Sequence, residues 1–173
     1  MRRFVRLSLI GLVALVAVGF WLQQSKPAAQ PAQKATVSEG ACTSAGVSLV
    51  VDFGSNSDAP LIQRCVSNFE GTSWKLLTTA GLKVAGTEKY PSSFLCRINS
   101  YPDEATEKCI DTPGIKNGSW AFFIATDSGW QYSAFGAASH MTKCGTSEGW
   151  RYLLPNESLD TYPRAKPVIT SCD

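Results

Sequence analysis

Val47-Ser48-Leu49-Val50-Val51-Asp52-Phe53-Gly54 is the stretch on which the fold turns. Aliphatic and β-branched residues dominate it and a glycine closes it, the composition of a strand. Ser55-Asn56-Ser57-Asp58-Ala59-Pro60 follows as a turn cluster. Leu61-Ile62-Gln63-Arg64-Cys65-Val66 then resumes the strand pattern, so the two runs predict a hairpin. Downstream, Trp74, Leu77 and Ala80 recur at i, i+3 and i+6, which places them on one face of a short helix. Thr72 or Ser73 can cap its start and Gly81 its end. Residues 82–86 and 94–98 predict further strands around the turn Tyr90-Pro91-Ser92-Ser93.

Beyond Gly118 a smaller pattern recurs. Trp120-Ala121-Phe122, Trp130-Gln131-Tyr132 and Trp150-Arg151-Tyr152 each set two aromatics at i and i+2, which share a face of a strand. Gln131 and Arg151 point to the opposite face from Trp130 and Trp150. Two readings are open. The pairs fill the sheet–helix core with Trp74 and Leu77, since aromatics dominate core burial. Alternatively, a sheet covered by one helix leaves its other face open, and the pairs stack on a flat ligand, a glycan or a protein partner. On the second reading the binding residues are Trp120, Trp130, Tyr132, Phe135 and Trp150, centred on residues 130–141. The small residues of Ser133-Ala134-Phe135-Gly136-Ala137-Ala138-Ser139 would let a partner approach the backbone there.

Upstream, the chain opens Met1-Arg2-Arg3-Phe4-Val5-Arg6 and continues with an uncharged apolar run, residues 7–22. That order is the pattern of an export signal. The apolar run would span about 24 Å as a helix, close to the hydrocarbon thickness of a bilayer. The arginines keep the N-terminus cytoplasmic. A retained signal-anchor helix and a cleaved signal peptide both put the rest outside, at the cell membrane or secreted. Residues 23–41, rich in Pro, Ala and Gln, predict a flexible tether. Residues 42–154 form the exported domain on this reading, and 155–173 an irregular C-terminal tail.

Charge and cysteine narrow the class. Five of the 16 Lys/Arg precede Cys42, opposed there only by Glu39, which leaves 11 against 13 Asp/Glu in the remainder. A nucleic-acid binder shows a basic patch or stripe, and this domain has no basic run. Six cysteines, scattered without a C-x-x-C pair, lie behind the export signal and read as a disulfide framework. The local pairing Cys42–Cys65, Cys96–Cys109 and Cys144–Cys172 brackets the first hairpin, the acidic loop and the tail in turn.

The stretch 47–153 resembles the C-terminal β-domain of transcobalamin and its bacterial relatives, the DUF4430 family. The residues that carry the likeness are the strand at 47–53, Ala80-Gly81-Leu82 and Tyr90 before a turn. Ser119-Trp120-Ala121-Phe122-Phe123, Gly129-Trp130-Gln131-Tyr132-Ser133 and Glu148-Gly149-Trp150-Arg151-Tyr152 are similar to its aromatic strands. Phe94-Leu95-Cys96-Arg97-Ile98-Asn99 with Cys109 fits an actinobacterial branch. The resemblance implies an α+β, β-grasp-like mixed sheet with one packed helix, and an extracellular binding module rather than an enzyme. Cobalamin enters only through this resemblance; the residues themselves name no cofactor.

Candidate chemistry is sparse. His140 is the single histidine, and Ser133 or Ser139 could be set against it, yet no Gly-x-Ser-x-Gly elbow accompanies them. A loop histidine is expected. Asp103, Glu104, Glu107 and Lys108 form a mixed-charge loop without the glycine-centred ligand spacing of a calcium site. Asn117-Gly118-Ser119 and Asn156-Glu157-Ser158 match the glycosylation acceptor pattern. The expectation is a membrane-tethered binding module without metal, or else a structural or envelope-assembly subunit without a small ligand.

Overall fold

A computed structural model describes residues 33–55, 58–114 and 117–172. The expected n-region and apolar segment lie outside these residues, and no helix among the described residues is long and apolar enough to cross a membrane.

Eight strands and one helix are described: β1 (Thr36–Glu39), β2 (Val47–Asp52), β3 (Ile62–Ser67), α1 (Ser73–Thr79), β4 (Val84–Gly86), β5 (Leu95–Ile98), β6 (Ser119–Thr126), β7 (Gly129–Tyr132) and β8 (Ser147–Leu153). Six strands make one mixed sheet in the order β1-β3-β2-β8-β6-β7. The expected hairpin is β2–β3, antiparallel with Val47 opposite Val66. β6 and β7 form a second hairpin, and β8 inserts between the two hairpins, parallel to β2 and antiparallel to β6. β4 and β5 stand apart as a two-stranded ribbon. The described residues therefore form a small α+β domain, a mixed sheet with one packed helix and three disulfides.

α1 starts where Thr72 accepts from the Lys75 amide and ends before Gly81, whose φ of 79° suits a residue without Cβ. It packs Leu76 and Leu77, with Ala80 just beyond, onto Val47, Leu49, Val51, Trp120, Phe122, Trp150 and Tyr152. These residues define the helix face of the sheet. Phe53, Tyr101, Trp120 and Tyr152 meet edge to face at its end, an arrangement aromatic quadrupoles favour.

The opposite face is covered too. Val50, Ala121, Phe123, Trp130 and Leu153 form a second buried cluster, packed by Leu159 and Ala165 of the C-terminal segment. Every residue of β2 and β8 is consequently buried. The segment after β8 has no regular element, as the sequence suggests, but it acts as a third layer rather than a loose tail. A further correction falls at the other end. Thr36–Glu39, inside the stretch read as tether, pairs antiparallel with β3 as the exposed edge strand β1.

Cysteine pairing is Cys42–Cys65, Cys96–Cys109 and Cys144–Cys172, each closing a short stretch of chain. The first ties the approach to β2 to β3, the second holds the loop after β5, and the third fixes the end of the C-terminal segment beside β8.

Candidate functional site: a groove under the C-terminal segment

The groove is built on a buried carboxylate. Asp52, the last residue of β2, points away from α1 and has no exposed side-chain surface. It accepts from the Gly54 amide, from Arg151 Nη1 at 2.8 Å and from the Arg164 amide at 2.9 Å. The Arg164 guanidinium adds bonds from Nε and Nη2. Arg151 is shared onward with Glu157 at 2.9 Å, and Glu157 Oε2 accepts the Leu154 amide. Burial alone would raise the Asp52 pKa, but the Arg164 and Gly54 donors and the Arg151 charge outweigh it and hold the carboxyl below its ordinary range. This network staples the C-terminal segment across the sheet. Two further bonds continue the staple, Ser147 Oγ to Val168 O at 2.6 Å and Thr170 N to Gly145 O at 2.8 Å.

Trp130 sits under that segment. Its indole Nε1 donates to Ala165 O at 2.7 Å. A Cβ on Gly149 would come within about 3 Å of the Trp130 ring and of Pro163, so the glycine makes room for both. Between the turn at residues 126–129 and the segment at 162–169 runs an open groove of about 780 Å³. Trp130 forms its floor, Tyr162 and Ile169 are exposed along one wall, and Asp127 and Lys166 lie at its margins.

The five aromatic candidates are divided by the fold. Trp120 and Trp150 are buried on the helix face, where Trp150 stacks on Phe122 at 4.6 Å. Little of either reaches solvent, because both lie in the cluster under α1 and Trp120 is flanked by Phe53 and Tyr101. Trp130 is only 9% exposed and lies on the face opposite Trp150, contrary to the shared face expected from alternation. Alternation sets faces within one strand, but the pairing of Ala125 with Trp130 and of Phe122 with Trp150 sets them between strands. Tyr132 and Phe135 are exposed, at 44% and 64%. Tyr132 meets Phe123 edge to face, as Tyr162 does from the C-terminal segment. The sequence reading missed Tyr162, Arg164 and Ile169, all in the stretch set aside as tail.

His140 lies in the loop after β7 but turns inward, edge to face with Phe122 and 3.6 Å from the buried Glu148. Ser133 and Ser139 serve their own loop instead, the first bonding at Phe135 and the second at Gly136 O. Among the described residues no group of three His, Cys, Asp or Glu side chains could hold a metal ion.

No protein-family model, curated protein or solved structure matches the chain.

Proposed function

We propose that this protein is an exported binding module, held at the membrane by its N-terminal apolar segment, whose ligand lies in the groove between the β6–β7 turn and the C-terminal segment. The observation that carries this reading is the groove of about 780 Å³ floored by Trp130. That volume is within the range of small-ligand sites, and the mixture of aromatic walls and a few polar groups is the usual lining. Its open form suits a short stretch of glycan or extended peptide. The reaction machinery of a hydrolase plays no part in this reading.

The order hairpin, helix, hairpin, central strand, with β2 and β8 parallel in the middle, supports placing the domain among β-grasp-like folds. It is consistent with the likeness to the transcobalamin C-terminal family, although the groove proposed here depends on the C-terminal segment and not on a corrinoid. A thermal-shift screen of oligosaccharides and peptides tests the proposal. A ligand at a hundred times its Kd adds about 2.7 kcal/mol. Tyr162→Ala is expected to abolish that shift while lowering the unliganded stability by only about 1 kcal/mol, the worth of its edge-to-face contact with Phe123, because Tyr162 is 45% exposed. Binding that survives Tyr162→Ala refutes the groove.

The second reading is a structural or envelope-assembly subunit, favoured by the burial of Trp120, Trp130 and Trp150. On that reading no small ligand moves the melting temperature.

A further inference from the structure

A second polar group is buried on the other face of the sheet. Glu148 of β8 lies beside Leu49 of β2 and Ile124 of β6, and its side chain is fully buried. Its Oε1 accepts from Thr142 Oγ1 at 2.7 Å and stands 3.6 Å from His140 Nε2. Its Oε2 has no hydrogen-bond partner of good geometry among the described residues. Both neighbours of Oε1 belong to the loop between β7 and β8. That loop is clamped to the start of α1 by three backbone bonds: Ser73 N to His140 O, Trp74 N to Ala137 O, and Thr142 N to Gly71 O, each 3.0 Å. On its outer side the same loop exposes Phe135 and Met141, at 64% and 60%.

A carboxyl in this layer is tolerated as the neutral acid and penalised as the anion. Burial raises the Glu148 pKa to about 7, and the Thr142 and Ser73 hydroxyls oppose it without offsetting it. His140 offers no cation at neutrality, since its burial and the nearby Lys143 both lower its pKa. The elements packed around the carboxyl bring no other charge to it. From α1 comes the Ser73 hydroxyl, while Lys75 turns away to Glu70 O. From β2 and β6 come Leu49 and Ile124. Arg64, on the same face of β3, is committed to Ala80 O and Glu39.

We propose that Glu148, with His140 and Thr142, is a proton-operated latch that clamps the loop carrying Phe135 and Met141 onto the start of α1 and loosens it as the pH rises. With the loop closed the carboxyl holds its proton. With the loop open water reaches Glu148, which then ionises in its ordinary range near 4.5. At Glu148 the closed state therefore binds the extra proton, and this carboxyl weakens closure by up to about tenfold per pH unit between those two values, while His140, whose pKa is lowered in the closed state, acts in the opposite sense and reduces the slope. Above about 7 the effect levels off, because both states are then ionised.

The test is amide hydrogen exchange of the full chain in neutral detergent micelles, corrected for intrinsic rates, across that pH window. Protection of the Ser73, Trp74 and Thr142 amides is expected to fall with rising pH relative to the core amide of Val50. In Glu148→Gln, whose side chain keeps an acceptor for Thr142 but cannot ionise, the fall should vanish. Loop amides that track Val50 at every pH, or a fall with rising pH that persists in Glu148→Gln, overturn the latch. Should the variant fail to fold, carbon-13 titration of the Glu148 carboxyl in the wild-type chain decides: a midpoint near 7 supports the latch, and one in the ordinary carboxylate range overturns it.

Discussion

Removing the Asp52 carboxylate should cost far more than removing either exposed end of its network. Asp52 is wholly buried, and the Arg151 side chain beside it is only 6% exposed. In Asp52→Ala the Arg151 guanidinium keeps Glu157 but loses its buried counter-charge, and the Gly54 and Arg164 amides lose their acceptor. Breaking a buried pair from one side costs about 3–5 kcal/mol, and because Glu157 still compensates Arg151 in part the loss should fall toward the lower end of that range. The Arg164 side chain, by contrast, is 54% exposed, so its ion pair is screened and Arg164→Ala should cost about 1 kcal/mol or less. Urea unfolding followed by circular dichroism gives both values. Tryptophan emission adds a local readout, since loosening the C-terminal segment uncovers Trp130. The expected result is a large loss with red-shifted native emission for Asp52→Ala, and near wild-type behaviour for Arg164→Ala. Equal losses in the two variants would refute the view that Asp52 is the anchor of the third layer. The acid limb of the stability profile belongs to the same group. Its folded pKa lies below the ordinary 3.8, so its contribution is full above that value and is lost as the pH falls through the lower folded pKa.

Two other perturbations probe the same layer. Gly149→Ala places a Cβ about 3 Å from the Trp130 ring and Pro163; overpacking of this kind costs roughly 1–3 kcal/mol, and an unchanged melting temperature would show that Trp130 does not seat on Gly149. Among the disulfides, Cys144–Cys172 joins two exposed residues while the other four cysteines are at most 8% exposed. Limited reduction followed by alkylation and peptide mapping should therefore label Cys144 and Cys172 first, with an accompanying loss of up to about 3–4 kcal/mol on chain-entropy grounds. Earlier labelling of Cys96 or Cys42 would contradict the burial.

The local pieces of the fold were legible because each rests on short-range chemistry. The β2–β3 hairpin follows from two apolar runs around a turn cluster, and α1 from a cap, a spacing and a terminal glycine. The cysteine pairs each close a local stretch of chain: the first hairpin, the acidic loop and the C-terminal segment. What the sequence does not display is how strands meet at a distance. The parallel pairing of β2 with β8 joins residues about a hundred positions apart, as Asp52 and Arg151 do. The choice of face for Trp130 depends on its pairing with Ala125 and on nothing within its own tripeptide.

One signal of the third layer was nevertheless present. Leu49-Val50-Val51 is an unbroken apolar run, not the alternation expected of a strand with one wet face, and such runs mark strands buried on both sides. Leu49 and Val51 serve α1, so Val50 requires a second cover. The helix cannot supply it, and among the described residues Leu159 and Ala165 from beyond β8, with Leu61 from the turn before β3, do so. The chain beyond β8 carries prolines and charges and shows no periodicity of its own. Yet prolines suit a covering segment that runs without a ladder partner, and its charges find buried counterparts in Asp52 and Arg151. Asp52 at the end of an apolar strand was the complementary signal, since a carboxylate there must be neutralised from outside the hairpin. The groove then follows from the architecture. A covering layer held by point attachments at Asp52, Ala165 and Ser147 meets the β6–β7 turn without filling the space beside it, leaving a cleft that a continuous strand would have closed.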